Sequence, residues 1–583
     1  MDSRPPIAAI GRADLQERRA AIVGAEGHEK GDMATGGLLI VESLAAHGID
    51  RVFCVPGESY LGLLDALYEH RASIDTVVCR HESGAGFMAL ADARLTGRPG
   101  MACVSRGPGA SNAVIAVHTA QQDGVPFILL IGQVSTGDLR RDAFQEIDYG
   151  RMFGGLAKWT VEITDPARIP EAMLRAFQVA TTGVPGPVVI AVPEDVLTAS
   201  AARVPPLRSS SVRCPPEQSG IEAIETLLGR ARRPLLLAGS AIDRPGGRAA
   251  LLAAAERWAL PVLVAFRRHD LFPNHHPLYA GEMGLANPPE QMAVLDECDL
   301  LLVAGARLSD ITTQGYRFPM ATGAGPKLIH VHSDPAVIGT HFPTDLALAC
   351  DPAATLAALA ESKAGGSIER SEWCARVAHE RYKIARPRMF DVDDGIPFES
   401  VVARIAGHLP SDAIVTVDAG TFGAPVYRLI RFAGEQRLLA PISGAMGFGV
   451  PAAVAAGLRA PERTILCFVG DGGFLMTGNE LAVAKERNLP LKVVLSENGV
   501  YGSIRIHQAR DYPGRFVGTG FVNPDLAMIG AAFGFAVSRL STPSDLDRLP
   551  ALLAAEGPQF IIVDTSVEAV MPATAAQGDR SVL

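Results

Sequence analysis

The stretch from Gly470 to Gly502 constrains the fold most tightly. The apolar run RTILCFV precedes it and is typical of a buried strand that ends at Val469. The sequence GDGG then predicts a sharp turn whose N–H groups can approach an anion closely. Thr477 and Glu480 have the spacing of a capping box, which predicts a helix start, and a second strand, LKVVLS, leads to Asn498. The stretch therefore predicts a β-turn-α-β unit.

This unit places a carboxylate at the end of one strand and an amide at the end of the next. Because the carboxyl ends of neighbouring parallel strands form the ligand crevice of an α/β sheet, we expect Asp471 and Asn498 to lie close together. Their oxygens suit Mg²⁺ or Ca²⁺, and Mg²⁺ is usually held by few protein oxygens plus phosphates. Two unrelated tight turns are the alternative. The pattern favours a metal-bridged phosphate site.

The same stretch resembles the signature of thiamine diphosphate enzymes, and its residues are most similar to those of the acetolactate synthase group. The resemblance implies that Asp471, the Asn498 side chain and the Val500 carbonyl bind Mg²⁺, which anchors the diphosphate of the cofactor. The family usually has two asparagines here, whereas this chain has Glu497 before Asn498. Because the metal ligand is the second of the pair, we expect the site to persist.

Strands and helices alternate along most of the 583 residues, which predicts an α/β protein. The resemblance implies three doubly wound parallel-sheet domains of the thiamine diphosphate-binding type. The expected segments are an N-terminal tail (1–32), a pyrimidine-binding domain (33–203), a linker (204–220), a middle domain (221–365), a helical linker (366–394), a diphosphate-binding domain (395–566) and a C-terminal tail (567–583).

Charge and cysteine content exclude several classes of protein. The chain has 53 basic and 63 acidic residues and a net charge of −10, which argues against nucleic acid as a partner. No apolar run reaches membrane-spanning length. Eight scattered cysteines without a CxxC pair favour a reducing compartment. We therefore expect a cytoplasmic protein that binds neither membranes nor nucleic acid.

Glu82 is the candidate acid-base residue. It follows an apolar strand and begins an Ala- and Gly-rich helix in the segment RHESGAGFMALADA. A desolvated carboxylate there would suit proton exchange, although an acid at a helix N-terminus is also favoured by the helix dipole alone. The resemblance implies that Glu82 hydrogen-bonds N1′ of the aminopyrimidine of the cofactor.

Further cofactor contacts are implied by the resemblance alone. In the segment ISGAMGFG, Gly444 would offer its carbonyl to the pyrimidine amino group, and Met446 would wedge between the two rings. A core methionine after a glycine-rich turn is the alternative for Met446. The other implied contact residues are Pro56, Asn112, Thr421, Phe422, Gly470, Asp471, Gly472, Gly473, Asn498, Tyr501 and Gly502. Because the family builds each site from two subunits, the resemblance also implies a homodimer or homotetramer.

The residues expected in the substrate pocket match those of acetolactate synthases in one segment and differ from them at several other positions. The segment DAFQEID resembles acetolactate synthases, which implies that Phe144 and Gln145 line the pocket. Ile311 stands where those synthases have an arginine for the carboxylate of the second 2-oxo acid, and an isoleucine cannot replace that clamp. Ser503 replaces an apolar pocket residue, and His507 replaces a tryptophan.

These residues leave the chemistry open between two reactions. Transfer of an acyl carbanion from a 2-oxo acid to a carbonyl acceptor is the first. Glu58 occupies a position that is often acidic in 2-oxo acid decarboxylases, so a decarboxylase or C–C lyase that releases an aldehyde is the second. His507 is a candidate proton donor or acceptor-binding group, or a structural histidine. An inactive scaffold of the same fold is the third alternative, against which Glu82, Asp471 and Asn498 together argue. FAD, which anabolic members bind in the middle domain, is open but not indicated.

Overall fold

The computed structural model describes residues 33–210, 214–285, 287–320, 325–364 and 369–570. The predicted tail 1–32 and most of the tail 567–583 lie outside these residues. The described part contains three six-stranded sheets in which neighbouring strands are parallel, with helices packed against them. This architecture confirms the predicted α/β class. Among the described residues, none of the helices is long and apolar enough to cross a membrane.

The first sheet is buried on both faces, as continuous apolar strands require. A short antiparallel pair, Met33–Thr35 with Ser200–Ala202, closes this domain. In spatial order the six strands are Asp75–Val78, Arg51–Cys54, Gly100–Val104, Phe127–Gln133, Pro187–Pro193 and Trp159–Glu162. The main helices are Gly36–Ala46, Leu61–Glu69, Glu82–Thr96, Val114–Asp123 and Ile169–Thr181.

The second sheet has the same doubly wound plan. In spatial order its strands are Tyr279–Met283, Val262–Ala265, Pro234–Ala238, Leu300–Ala304, Lys327–Val331 and Leu346–Leu348. Its helices are Gln218–Arg230, Gly247–Trp258, Pro289–Glu297 and Pro352–Glu361, and helix Ser371–Ile384 follows. The first of these helices begins inside the predicted linker 204–220, and the last lies in the predicted helical linker 366–394. The domain boundaries themselves stay predictions.

The third sheet carries the stretch from which the sequence argument began. In spatial order its strands are Arg437–Leu439, Ile414–Val417, Ile465–Gly470, Lys492–Glu497, Gln559–Asp564 and Ala536–Leu540. Its helices are Phe398–Ala406, Gly423–Leu429, Gly449–Arg459, Asp471–Thr477, Leu481–Glu486, Gly502–Asp511, Leu526–Ala532 and Leu549–Ala554.

The first and third domains share one hydrophobic core. Helix Glu82–Thr96 packs against helix Gly449–Arg459, and the rings of Phe87 and Phe448 meet edge to face at 5.6 Å. At the far end of this contact, Arg459 forms an ion pair with Asp92 at 2.8 Å. The helix that begins with Glu82 is therefore fixed on the third domain of its own chain.

Candidate active site

Asp471 is the buried carboxylate of the third domain. It is the first residue of helix Asp471–Thr477, directly after a central strand, and is 3% exposed. Its Oδ2 accepts hydrogen bonds from the N–H groups of Asn498 at 2.8 Å and Gly499 at 2.6 Å. Its Oδ1 accepts one from the N–H of Gly472 at 2.8 Å. The carboxylate thus ties together the ends of two neighbouring strands, as the sequence predicts.

The oxygens around Asp471 fit a hard cation. The Asn498 Oδ1 accepts a hydrogen bond from the Val500 N–H at 3.1 Å, which turns the amide back over its own loop. Gly499 allows this turn because its φ is +65°. In the described ranges, no three His, Cys, Asp or Glu side chains converge as a metal cluster. One carboxylate, one amide and one backbone carbonyl are nevertheless the kind of partial ligand set that Mg²⁺ accepts together with phosphate.

Glycines bring the implied cofactor residues into one cradle. A Cβ on Gly472 would lie 2.6 Å from Tyr501 Cε1 and 3.5 Å from Met446 Cε. A Cβ on Gly470 would lie 2.9 Å from Phe422 Cε1. The backbone of the GDGG turn therefore approaches these side chains more closely than any other residue would permit.

The same close packing continues around the loop after Asn498. A Cβ on Gly502 would lie 2.7 Å from the Thr421 Oγ1. Gly444 has a φ of +71° and open space around its Cβ position among the described residues. Thr421, Phe422, Met446, Tyr501 and Gly502 thus lie beside the turn that holds Asp471.

Asp418 joins three turns of this cradle, and the sequence argument did not assign it a role. It is 1% exposed and accepts hydrogen bonds from the N–H groups of Ala419, Gly447 and Gly449 at 2.6 to 3.1 Å. A Cβ on Gly473 would lie 3.1 Å from its Cγ. Burial raises the pKa of Asp418 to about 6. The signal in the sequence that could have identified Asp418 is its position near the start of the segment VDAGTF.

Glu82 lies in a second group of predicted residues, in the first domain. It is the first residue of helix Glu82–Thr96, and its Oε2 accepts a hydrogen bond from the Asn112 Nδ2 at 2.9 Å. A Cβ on Gly109 would lie 3.3 Å from the Glu82 Oε1. Pro56 is exposed on the neighbouring turn, where Gly57 packs against Ser105. The structure therefore brings Glu82 and Asn112 together.

The capping-box prediction for Thr477 and Glu480 is wrong. The helix begins at Asp471, and a 3₁₀ turn covers Gly478–Glu480. The Glu480 carboxylate is 0% exposed and accepts hydrogen bonds from the N–H groups of Arg80 at 3.1 Å and His81 at 2.9 Å. Burial raises its pKa to about 7. Glu480 thus fixes the turn that leads into the Glu82 helix.

The predicted substrate residues are exposed in the single chain, except for Gln145, which is half-buried. Phe144 is 78% exposed, and Gln145 has a left-handed φ of 65°. Glu58 is exposed at the start of a 3₁₀ turn, and Ser503 and His507 are exposed one helical turn apart on helix Gly502–Asp511. None of these last three side chains forms a hydrogen bond with another residue that the structure describes. Their roles stay predictions.

Comparisons with known proteins match the chain in three segments. Profiles of the thiamine pyrophosphate enzyme domains match residues 34–152 (N-terminal TPP binding domain), 221–359 (central domain) and 418–563 (C-terminal TPP binding domain). The chain is 32% identical to the acetolactate synthase large subunit of Corynebacterium glutamicum, over 93% of this chain and 88% of the relative. It is 32% identical to the isozyme 1 large subunit of Escherichia coli, over 92% and 94%. Identity to the isozyme 2 large subunit of the same organism is 29%, over 91% and 95%.

Proposed function

Because the chain belongs to the acetolactate synthase-like group of thiamine pyrophosphate enzymes, we propose that it decarboxylates or cleaves a 2-oxo acid and transfers the acyl carbanion to a carbonyl acceptor. Bound thiamine diphosphate supplies the electron sink for the breaking C–C bond. The observation that carries the proposal is the cradle in which Gly472 meets Met446 and Tyr501 beside Asp471.

The diphosphate end of the cofactor is assigned to the third domain. Asp471, the Asn498 side chain and the Val500 carbonyl would hold Mg²⁺. Apart from the Gly472 N–H, which donates to Asp471, the N–H groups of the GDGG turn would face the phosphates. Thr421 and Phe422 would border the same end, since they pack on Gly502 and Gly470. Met446 would support the rings.

The proton traffic at the pyrimidine end is assigned to Glu82. Its Oε2 is already held by the Asn112 amide, so Oε1 is the oxygen left to exchange a proton with the aminopyrimidine. Because Gly109 has no side chain, that oxygen can be reached by a flat ring. Asn112 would fix the orientation of the carboxylate.

A second copy of the chain is proposed to complete each site, in a homodimer or homotetramer. Leu475 and Met476, which follow the GDGG turn, are 44% and 49% exposed, and Ile115 beside Asn112 is 37% exposed. Apolar side chains exposed next to both groups of site residues favour a protein partner over water. The unpaired state of the eight cysteines supports a reducing, cytoplasmic location.

Release of an aldehyde without ligation is the second candidate reaction. Ile311 provides no positive charge for the carboxylate of an acceptor 2-oxo acid, and the exposed Glu58 could protonate a carbanion. An acceptor without a carboxylate would also be compatible with Ile311.

Product identification separates these reactions. Purified protein with thiamine diphosphate and Mg²⁺ would be given pyruvate alone, then pyruvate with a second aldehyde or 2-oxo acid. A condensed product supports ligation, and an aldehyde in both mixtures supports the second reaction. Ile311→Arg should increase condensation with a 2-oxo acid acceptor if that position handles its carboxylate. Turnover that is equal in wild type and Glu82→Gln would refute the assigned acid-base role, and absence of cofactor binding would favour the inactive scaffold.

A further inference from the structure

The two oxygens of Asp471 are unequally occupied. Oδ2 accepts three hydrogen bonds, from the N–H groups of Asn498 and Gly499 and from the Asn523 Nδ2 at 2.9 Å. Oδ1 accepts one, from the N–H of Gly472. An oxygen that already accepts three hydrogen bonds has little capacity left to bind a cation, whereas Oδ1, which accepts one, retains that capacity. Oδ1 is therefore the oxygen that is free to bind a metal.

Of the three donors to Oδ2, Asn523 is the one that donates through its side chain. Its neighbours fix the orientation of that side chain. Its Nδ2 lies 2.9 Å from the Asp471 Oδ2 and 3.4 Å from the Glu497 Oε1. Because both neighbours are carboxylate oxygens, only the NH₂ end of the amide can face them. Its Oδ1 is buried and has no hydrogen-bond partner among the described residues. Asn523 therefore spans Asp471 and Glu497.

Glu497 would place an additional negative charge next to a diphosphate site unless it were compensated. Its Oε2 forms an ion pair with the Arg539 guanidinium at 2.8 Å. Arg539 also pairs with Asp564 on the neighbouring strand. The guanidinium, which Glu497 shares with Asp564, thus partly compensates the charge of Glu497 and holds it in position against Asn523.

We propose that Asn523 is a positioning residue for the cation site, and that the Glu497–Arg539 pair holds Asn523 in place. Asn523 occupies Oδ2 of Asp471 and so fixes Oδ1 as the ligating oxygen. Glu497, which stands where relatives have an asparagine, is tolerated because Arg539 compensates its charge. The inference rests on the proposed Mg²⁺ site and extends it to three residues that act through Asp471.

Calorimetric titration of Mg²⁺ into the full-length protein, saturated with thiamine diphosphate, tests the role of Asn523. We expect Asn523→Ala to weaken Mg²⁺ binding by about 10- to 100-fold, since residues that orient metal ligands commonly have effects of this size. Loss of the hydrogen bonds to Asp471 and Glu497 should lower the thermal midpoint of the metal-free variant slightly and leave it folded at the temperature of the titration. Val522→Ala is the matched control, because this neighbouring side chain is 97% exposed. Mg²⁺ affinity that is unchanged in Asn523→Ala would overturn the inference, while wild-type protein that binds no Mg²⁺ would overturn the proposed metal site itself.

A double-mutant cycle tests the compensation between Glu497 and Arg539. We expect Arg539→Gln to weaken Mg²⁺ binding about tenfold, because Glu497 is then no longer held against Asn523 and the amide loses its fixed position on Asp471. In the Glu497→Gln background, the same Arg539→Gln change should have almost no effect, which is the signature of coupled residues. Effects that simply add in the double variant would refute the compensation. If Arg539→Gln does not fold, Glu497→Ala decides, because it removes the group that faces the Asn523 amide. We expect Glu497→Ala to weaken Mg²⁺ binding about tenfold, and an unchanged affinity would refute the role of Glu497.

Discussion

Glu480 should make the start of the Glu82 helix sensitive to pH. Its carboxylate is fully buried between the first and third domains, and burial raises its pKa from 4.5 to about 7. The N–H groups of Arg80 and His81 and the charge of Arg80 oppose this shift, and the nearby Glu82 supports it. The pKa of Glu480 is higher in the folded protein than in the unfolded chain. The protonated carboxyl therefore stabilises the closed state, in which Glu480 is buried against the turn of Arg80 and His81. That contribution is fully present below pH 4.5 and is lost as the pH rises through about 7.

The size of the effect follows from the same two pKa values. Between pH 5 and pH 8 the contribution of Glu480 should fall by about 2.5 kcal/mol, which corresponds to a roughly 70-fold increase in the opening constant. Glu480→Gln carries a neutral side chain of the same shape, so this variant should lack that dependence on pH. The turn that leads to Glu82 should therefore open more readily in wild type at alkaline pH.

Hydrogen exchange of the Arg80 and His81 amides measures this opening directly, because both donate to Glu480. The opening constant of each amide would be measured from pH 5 to pH 8 and corrected for the chemical exchange rate. The value for wild type would then be divided by the value for Glu480→Gln at each pH. Glu486→Gln removes the same charge from the adjacent helix, where its partner is the Arg80 side chain, and should keep the wild-type profile. A ratio that stays constant within about threefold would refute the argument that burial dominates Glu480.

Three further changes test the cofactor cradle and the proposed assembly. Gly472→Ala would place a Cβ 2.6 Å from Tyr501 Cε1, so an overpacking cost of about 1–3 kcal/mol should weaken thiamine diphosphate binding roughly 5- to 150-fold in calorimetry. Gly229→Ala, in a helix where nothing described lies within 4 Å of the added Cβ, should leave binding unchanged. Leu475→Glu should lower the molar mass in light scattering, and unchanged mass would exclude this surface from the interface. Asp418→Asn should lower stability by about 1–3 kcal/mol in urea unfolding, because one buried N–H loses its acceptor.

The turn at Asp471 could be predicted because its residues are brought together by local rules. Strands Ile465–Gly470 and Lys492–Glu497 are neighbours in a parallel sheet, with Gly470 opposite Ser496. Residues that directly follow two such strands must lie at one edge. Asp471 and Asn498 are therefore close for reasons that the sequence of one β-α-β unit contains.

Asn523 and Glu480 could not be found by the same reasoning. Glu480 accepts hydrogen bonds from a turn that precedes it by 400 residues in the chain, and no local pattern marks that contact. Its spacing from Thr477 instead fits a capping box, and the burial of the carboxylate under Gly84 decides against that local use. Asn523 lies 52 residues from Asp471. Tertiary packing, which local patterns do not encode, determines both positions.

The two ends of the cofactor site therefore depend on different levels of structure. The residues of the proposed metal site lie within the third domain, whereas the loop before Gly444 is held from other domains: the Ser443 N–H donates to the Asp123 Oδ1 at 2.9 Å, and Arg267 donates to the Pro441 carbonyl. Asp123 belongs to the first domain and Arg267 to the second. A change that loosens domain packing should therefore disturb this loop more than the GDGG turn. The pyrimidine end should thus lose its geometry while the metal end still binds Mg²⁺, because only the former requires all three domains to be in contact.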